Sequence, residues 1–293
     1  MNISSVIQLH QQGQFDLAEK QYKKFLKNDK NNIDILFLLG LLYIQTKKIN
    51  NAIIQFEKVL TFEPNHLPSL YNLSIAYIEI DKSKFAIKNL NKCIDLDNNN
   101  YKSYQARADA HVKNGNFLDA KSDIEKSIKI NPLDYVNYVK RAYIYEHEGK
   151  YLEAINDLKK ALVSESNLDQ INFSIGNNFA KNNNHKEAIN YYLSAIDQNN
   201  CKPEFYLNLA NSYAAIKEFS DAIINYQKAY SLDYKLEYLR SSYLSIVLTT
   251  CSWDEFDKIA YSYIQDLQNG IEIPISPIEC LTYIDDIEIQ RKN

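Results

Sequence analysis

The sequence predicts an all-α fold, a right-handed superhelical solenoid of stacked antiparallel helix pairs, and two observations carry that expectation. Seven alanines, Ala18, Ala52, Ala86, Ala120, Ala154, Ala188 and Ala222, stand 34 residues apart with no insertion or deletion between the first and the last. Around them apolar and small residues recur at helical spacing, and nowhere does the chain alternate as a strand would. A period of this length describes a two-helix unit that cannot bury its own apolar face and must stack on its neighbours.

The elements follow in order from that register. Residues 1–32 keep Gly13, Phe15, Ala18, Tyr22 and Phe25, which makes an N-terminal repeat with a weak first helix and a good second one. Residues 33–236 hold six regular repeats. Ile33 to His66 is the clearest of them, through Leu36, Leu39, Gly40, Tyr43, Ala52, Phe56 and Pro64. In helix A of each unit a small residue (Gly40, Ser74, Ala108, Ala142, Gly176, Ala210) precedes by three a ring (Tyr43, Tyr77, His111, Tyr145, Phe179, Tyr213). Twelve residues past the small one stands the alanine, then four further on Phe56, Leu90, Ile124, Leu158, Tyr192 or Tyr226, one face of helix B. Small residues on both helices let the backbones approach so that large ones fill the grooves between. Residues 237–270 read as a degenerate eighth pair with Phe256 in the alanine position, and 271–293 as a capping or junction segment. The runs Asn98–Asn100 and Asn182–Asn184 fall at turns, where asparagine tolerates the left-handed conformation.

Composition narrows the class of function. A 293-residue chain that is 45% apolar can bury a long core, while its 33 basic and 37 acidic residues are interspersed, for a net charge of −4. That balance argues against nucleic acid as the main partner. The first residues lack a basic segment and an apolar run of signal-peptide length, and no stretch approaches a membrane span, so a soluble, cytoplasmic protein with no membrane partner is expected. Four cysteines lie far apart, Cys93 at a core position of its repeat, and the five histidines never reach metal-ligand spacing. No catalytic, cofactor-binding or metal-binding set is expected, and no enzyme activity on this chain alone.

Two arginines interrupt the apolar pattern. Arg107 and Arg141 replace a consensus leucine one repeat apart, and each has an acid sixteen residues on, Asp123 and Asp157. The arginine and its acid occur together and are absent together, which favours an ion pair between helices A and B over a cationic pocket. The expected functional surface is the inner face, lined by helix A residues directed away from helix B. Its members are Phe37 and Leu41, then Tyr71, Asn72 and Ile75, then Asp109, then Lys140 and Tyr143, and finally Asn177, Asn208 and Asn211. Gln45, Gln105, Lys113, Val139 and Lys181 share that register. The groove is apolar at its N-terminal end and amide-rich at its C-terminal end, and spaced amides can hold the backbone of an extended peptide.

These motifs resemble the tetratricopeptide repeat, whose usual tryptophan is replaced here by Leu36. The resemblance implies a scaffold that binds protein or peptide segments. The tail-binding clamp of some such domains is not reproduced. Asn72 and Lys102 match it but Phe37, Leu41 and Ala106 do not, and Asn177 and Asn208 match while Phe173, Tyr238 and Ser242 do not. A second resemblance lies after the repeats. Cys251, Ser252, Trp253 and Asp254, then Gly270, Ser276, Pro277, Ile278, Leu281, Asp285, Asp286 and Gln290 look like the junction into the catalytic domain of O-GlcNAc-transferase-like (SPINDLY-type) proteins. Asn72 and Asn208 also match that family's asparagine ladder, which is interrupted at Leu38, Ala106, Lys140 and Ser174. That resemblance implies the substrate-recruiting arm of a protein O-glycosyltransferase, with a separate catalytic domain as a partner. The two-lobed sugar-transferring domain would need several hundred further residues. Part of a split or longer glycosyltransferase is one alternative. A scaffold that self-assembles through Tyr230, Tyr234, Tyr238 and Tyr243 is the other.

Overall fold

The computed structural model describes residues 2–163, 167–236 and 238–269, and all of its regular structure there is helical. The chain divides into two units, Met1–Ile144 and the part from Tyr145 onward. The first holds α1 (Ile3–Gln11), α2 (Phe15–Asn28), α3 (Ile33–Gln45), α4 (Ile49–Phe62), α5 (Leu67–Glu79), α6 (Ser83–Leu96), α7 (Tyr101–Lys113), α8 (Phe117–Ile130) and most of α9 (Tyr135–His147). The second holds α10 (Tyr151–Ala161), α11 (Leu168–Lys181), α12 (His185–Gln198), α13 (Pro203–Ala215), α14 (Phe219–Leu232), α15 (Leu239–Thr249) and α16 (Trp253–Gln268).

One turn, repeated, sets the pairing. The residue in the left-handed region recurs every 34 positions, at Gly13, Lys47, Asp81, Gly115, Gly149, Asn183, Lys217 and Cys251. The amide after it reaches back to a helix A carbonyl five residues earlier, as in Lys48 to Tyr43 at 2.8 Å and Ser252 to Val247 at 2.9 Å. This is the six-to-one bond that ends a helix in a Schellman turn. Lys47, Asp81 and Lys217 hold it against a side-chain penalty that glycine lacks, so stacking on either side must impose the conformation. Of the asparagine runs only Asn183 takes this role. Asn100 keeps φ −80° and instead caps α7, accepting from the Ser103 amide at 3.3 Å. Asn2, Asn32 and His66 cap α1, α3 and α5 in the same way.

Each repeated alanine is fully buried, and the residue four later packs beneath helix A. Opposite two of the rings, Phe56 and Tyr192, the close approach of helix A requires glycine. A Cβ on Gly40 would stand 2.5 Å from the Phe56 ring, and one on Gly176 would stand 2.6 Å from Tyr192. Phe56 accordingly closes the core of the first repeats with Leu39, Leu42 and Tyr43. In the second unit Tyr226, Tyr243 and Leu239 close another. Cys93 is wholly buried and its thiol is pushed up to about 11 by that burial, which leaves it inert. Tyr243 is buried too, stacked on Tyr226 at 5.5 Å and donating to Glu255 at 2.6 Å, so it is core and not an assembly surface.

The paired arginine reading holds at Arg107. Its Nε and Nη2 donate to Asp123 at 2.8 and 2.6 Å, a bidentate link between α7 and α8. Arg141 and Asp157 fall one in each unit; Asp157 is buried and accepts from Lys160 at 3.2 Å.

A second ionic node joins the first repeats. Glu19 accepts from Lys23 at 2.6 Å, from Lys48 at 2.7 Å and from the Tyr43 hydroxyl at 3.2 Å. Hydrogen bonds from Lys23 and then Lys48 hold its carboxyl down from 4.5 to about 2. The stability this group supplies is therefore complete above pH 4.5 and is lost as pH falls towards 2. Glu19→Gln is expected to flatten the fall in thermal midpoint between pH 5 and pH 3, and parallel curves for the two proteins would count against this node.

Candidate functional site

The first unit contains a cleft of about 520 Å3 between α5, α7 and α9, floored by α8. Three groove residues expected from sequence, Asp109, Lys140 and Tyr143, line it, and Val139 and Lys113 join them. Ala108 and Ile124 form its floor, and both are buried. Ile78 and Val112 complete the apolar wall.

Charges sit at the rim and are matched. Lys140 on α9 donates to Asp109 on α7. Lys113 donates to Asp81 at 2.7 Å and to the Ile78 carbonyl at 2.8 Å. With an apolar floor and a rim whose lysines already have partners, the cleft suits an uncharged apolar group of side-chain size or somewhat larger. Tyr143, 48% exposed, offers a ring at the mouth.

The other expected groove residues separate into two groups. Phe37 lies against the rings of Phe56 and His66 at 5.8 and 5.3 Å, and Leu41 packs on the same core. Tyr71 and Ile75 pack on the cluster around Ala86 and Leu90, and burial raises the Tyr71 hydroxyl above its ordinary value. Asn72 spends a donor on the Pro68 carbonyl of its own helix at 2.8 Å. None of these five is among the residues that line the cleft, although Tyr71 and Ile75 share a cluster with Ile78 of its wall.

In the second unit Asn177 and Asn208 meet, Asn208 Nδ2 donating to Asn177 Oδ1 at 2.8 Å. The same oxygen accepts from the Tyr192 hydroxyl at 2.8 Å, and Asn211 Oδ1 accepts from Tyr226 at 2.6 Å. Sequence reasoning placed both tyrosines in the core by register and missed their hydroxyls. A partial signal was present: asparagine occurs at this helix A position in the repeats that carry Tyr192 and Tyr226 on helix B, while Ile7 stands opposite Tyr22 in the first repeat.

Among the described residues no group of three or more His, Cys, Asp and Glu side chains has metal-binding geometry, and no helix is long and apolar enough to cross a membrane. Residues 270–293, and with them Gly270 and Ser276 to Gln290 of the junction resemblance, lie outside the described residues. Cys251 and Trp253 lie within them. Cys251 takes the left-handed turn position of its repeat, and Trp253 opens α16 where Phe15, Phe117 and Phe219 open or begin their own helices.

No curated protein matches the chain. Family models of the tetratricopeptide repeat match residues 33–66, 67–100, 101–132 and 136–163, and a second model of the same repeat matches 173–233. Among solved structures, MamA is 31% identical over 55% of this chain and 94% of its own, with a TM-score of 0.52. A tetratricopeptide repeat protein from Parabacteroides merdae is 16% identical, over 84% of this chain and 97% of its own, with a TM-score of 0.64. The structure of the APC/C hetero-tetramer Cut9–Hcn1 is similar at 16% identity, over 83% of this chain and 48% of that one, also with a TM-score of 0.64. These last two show the fold alone. The turn that recurs every 34 residues, the buried alanines and the matched repeats together place this chain in the tetratricopeptide-repeat family.

Proposed function

We propose that the chain is a protein-interaction scaffold that takes an extended peptide segment along its helix A faces, with the α5–α7–α9 cleft as the anchor for one large apolar side chain. The observation that carries this reading is the convergence of Asp109, Lys140 and Tyr143 on a cleft with an apolar floor. The two rim ion pairs leave the anchor itself without a requirement for charge.

The cleft can be closed with a pair the protein already uses. Ala108→Gly with Ile124→Phe copies the Gly40–Phe56 arrangement and is expected to fill the cleft with a thermal midpoint close to that of the native chain. Peptides selected from a random display library on the native chain should share one large apolar residue, and should bind the filled variant at least about tenfold more weakly. Equal binding to both proteins would refute the anchor.

A recruiting arm of an O-glycosyltransferase is the narrower reading. The repeat register accounts for Cys251 and Trp253 without it, so it rests on the sequence of residues 276–290 and on the asparagine match at Asn72 and Asn208. Asn72 bonds its own helix, which weakens the ladder as a continuous feature. The self-assembly reading retains Tyr234 and Tyr238 as exposed rings after Tyr243 is assigned to the core.

A further inference from the structure

We infer that Tyr192 and Tyr226 fix the polarity of the groove amides in the second unit, so that Asn177 and Asn211 act as hydrogen-bond donors and hold an occupant by its main-chain carbonyls. The inference rests on the peptide-binding reading above and specifies which backbone atoms are read. Both tyrosines are buried, 1% and 2% exposed, and each brings a hydroxyl proton to the base of the groove. A buried hydroxyl without an acceptor is costly, and the Asn177 and Asn211 oxygens lie at 2.8 and 2.6 Å. The 2.6 Å separation fits O–H···O and is short for N–H···O, which sets the amide with its oxygen inward.

The same geometry occurs twice. Each bond spans fifteen residues, from helix A to helix B of one repeat. In the repeats where helix B presents Phe56 or Leu90, the helix A partner position holds Leu41 or Ile75, and in the first repeat, where Ile7 stands opposite Tyr22, that hydroxyl pairs with His10 at 3.3 Å. Asn177 Oδ1 takes a second bond from Asn208, so both of its lone pairs are used and only its NH2 faces outward. The same bond commits one N–H of Asn208 and leaves its oxygen to accept. The nearby lysines do not supply an anion site, because Lys181 lies 3.7 Å from Glu146 and Lys202 lies 3.5 Å from Asp169. A neutral acceptor therefore fits better than a carboxylate, and the two donors Asn177 and Asn211 suit a segment rich in proline, whose backbone carries carbonyls without N–H groups.

The test uses the full chain, 15N-labelled, with a capped oligoproline as the probe and acetate as the anionic control. The side-chain NH2 resonances of Asn177 and Asn211 should shift with oligoproline and not with acetate. Tyr192→Phe places a phenylalanine over Gly176, the arrangement that Phe56 and Gly40 already show, and so should fold. Together with Tyr226→Phe it lets both amides rotate, and oligoproline affinity should fall about fivefold to tenfold. Unmoved amide resonances, a larger response to acetate, or unchanged affinity in the double variant would each overturn the inference. The failures are distinguishable. If library peptides bind through the cleft while the amides stay silent, the polarity inference falls and the scaffold reading stands. If no peptide binds the native chain at all, both fall.

Discussion

Asp266→Ala is expected to unfold the α15–α16 pair before the rest of its unit, at a cost of about 3 to 5 kcal/mol. Arg240 and Asp266 form an ion pair whose side chains are only 6% and 8% exposed. Arg240 Nε also donates to the Tyr234 carbonyl at 3.0 Å, and its guanidinium lies 5.0 Å from the Tyr234 ring centre. These contacts orient the cation without neutralising it. Removing the carboxylate takes away the acid that the buried guanidinium is paired with here, and the desolvation that this pair had offset is then felt. In a repeat array such a loss is local, because each unit contacts only its neighbours. Hydrogen exchange should therefore show amides of α15 and α16 losing protection while those of α11 to α13 keep theirs. Asp257→Ala, an exposed acid on the same helix, is the control and should change little. Replacing both partners, Arg240→Met with Asp266→Leu, should recover most of the loss, since apolar packing commonly equals a buried pair. Equal protection in the Asp266→Ala and Asp257→Ala proteins would show that the pair contributes nothing.

The repeat itself was legible because an unbroken 34-residue register repeats its own evidence: the alanines at Ala18 through Ala222 are all fully buried. Arg107 with Asp123 was legible for the same reason, since a second arginine and acid recur at the same spacing one repeat later. Arg240 with Asp266 was not. It occurs once, at a position where Leu36 and Leu70 stand in other repeats, and its spacing of 26 has no counterpart to compare. The left-handed turn was partly hidden because Gly13, Lys47, Asp81, Asn183 and Cys251 share a conformation without sharing chemistry. For the groove, periodicity named positions but could not separate surface from core edge. Phe37 and Asp109 belong to the same helical face, yet one lies against Phe56 and the other lines a cleft. What separates them is the packing around each side chain, which a helical-face pattern does not weigh.

Asp123→Ala should destabilise the first unit by about 2 to 3 kcal/mol, against at most about 0.5 kcal/mol for Glu125→Ala on the exposed side of α8. The estimate lies below that for Asp266 because Arg107 is 21% exposed where Asp123 is 6% exposed, so water recovers part of the stranded charge. Arg107 also donates to Asn91 on α6 at 2.7 Å, which links three successive helices through one side chain. Loss of Asp123 therefore loosens α7 against both neighbours, and exchange protection should fall across α6 to α8. Arg107→Leu, which restores the residue more common in such repeats, gives the complementary result. It leaves the buried Asp123 carboxylate with His111, 3.9 Å away, in place of its bidentate guanidinium partner. Thermal midpoints of Arg107→Leu and of Arg107→Leu with Asp123→Leu decide the matter: the double change should recover most of what the single one loses, because no carboxylate is then buried. A double variant no more stable than Arg107→Leu would mean that the arginine stabilises through packing on Tyr104, 5.7 Å from its guanidinium carbon, and not through its acid.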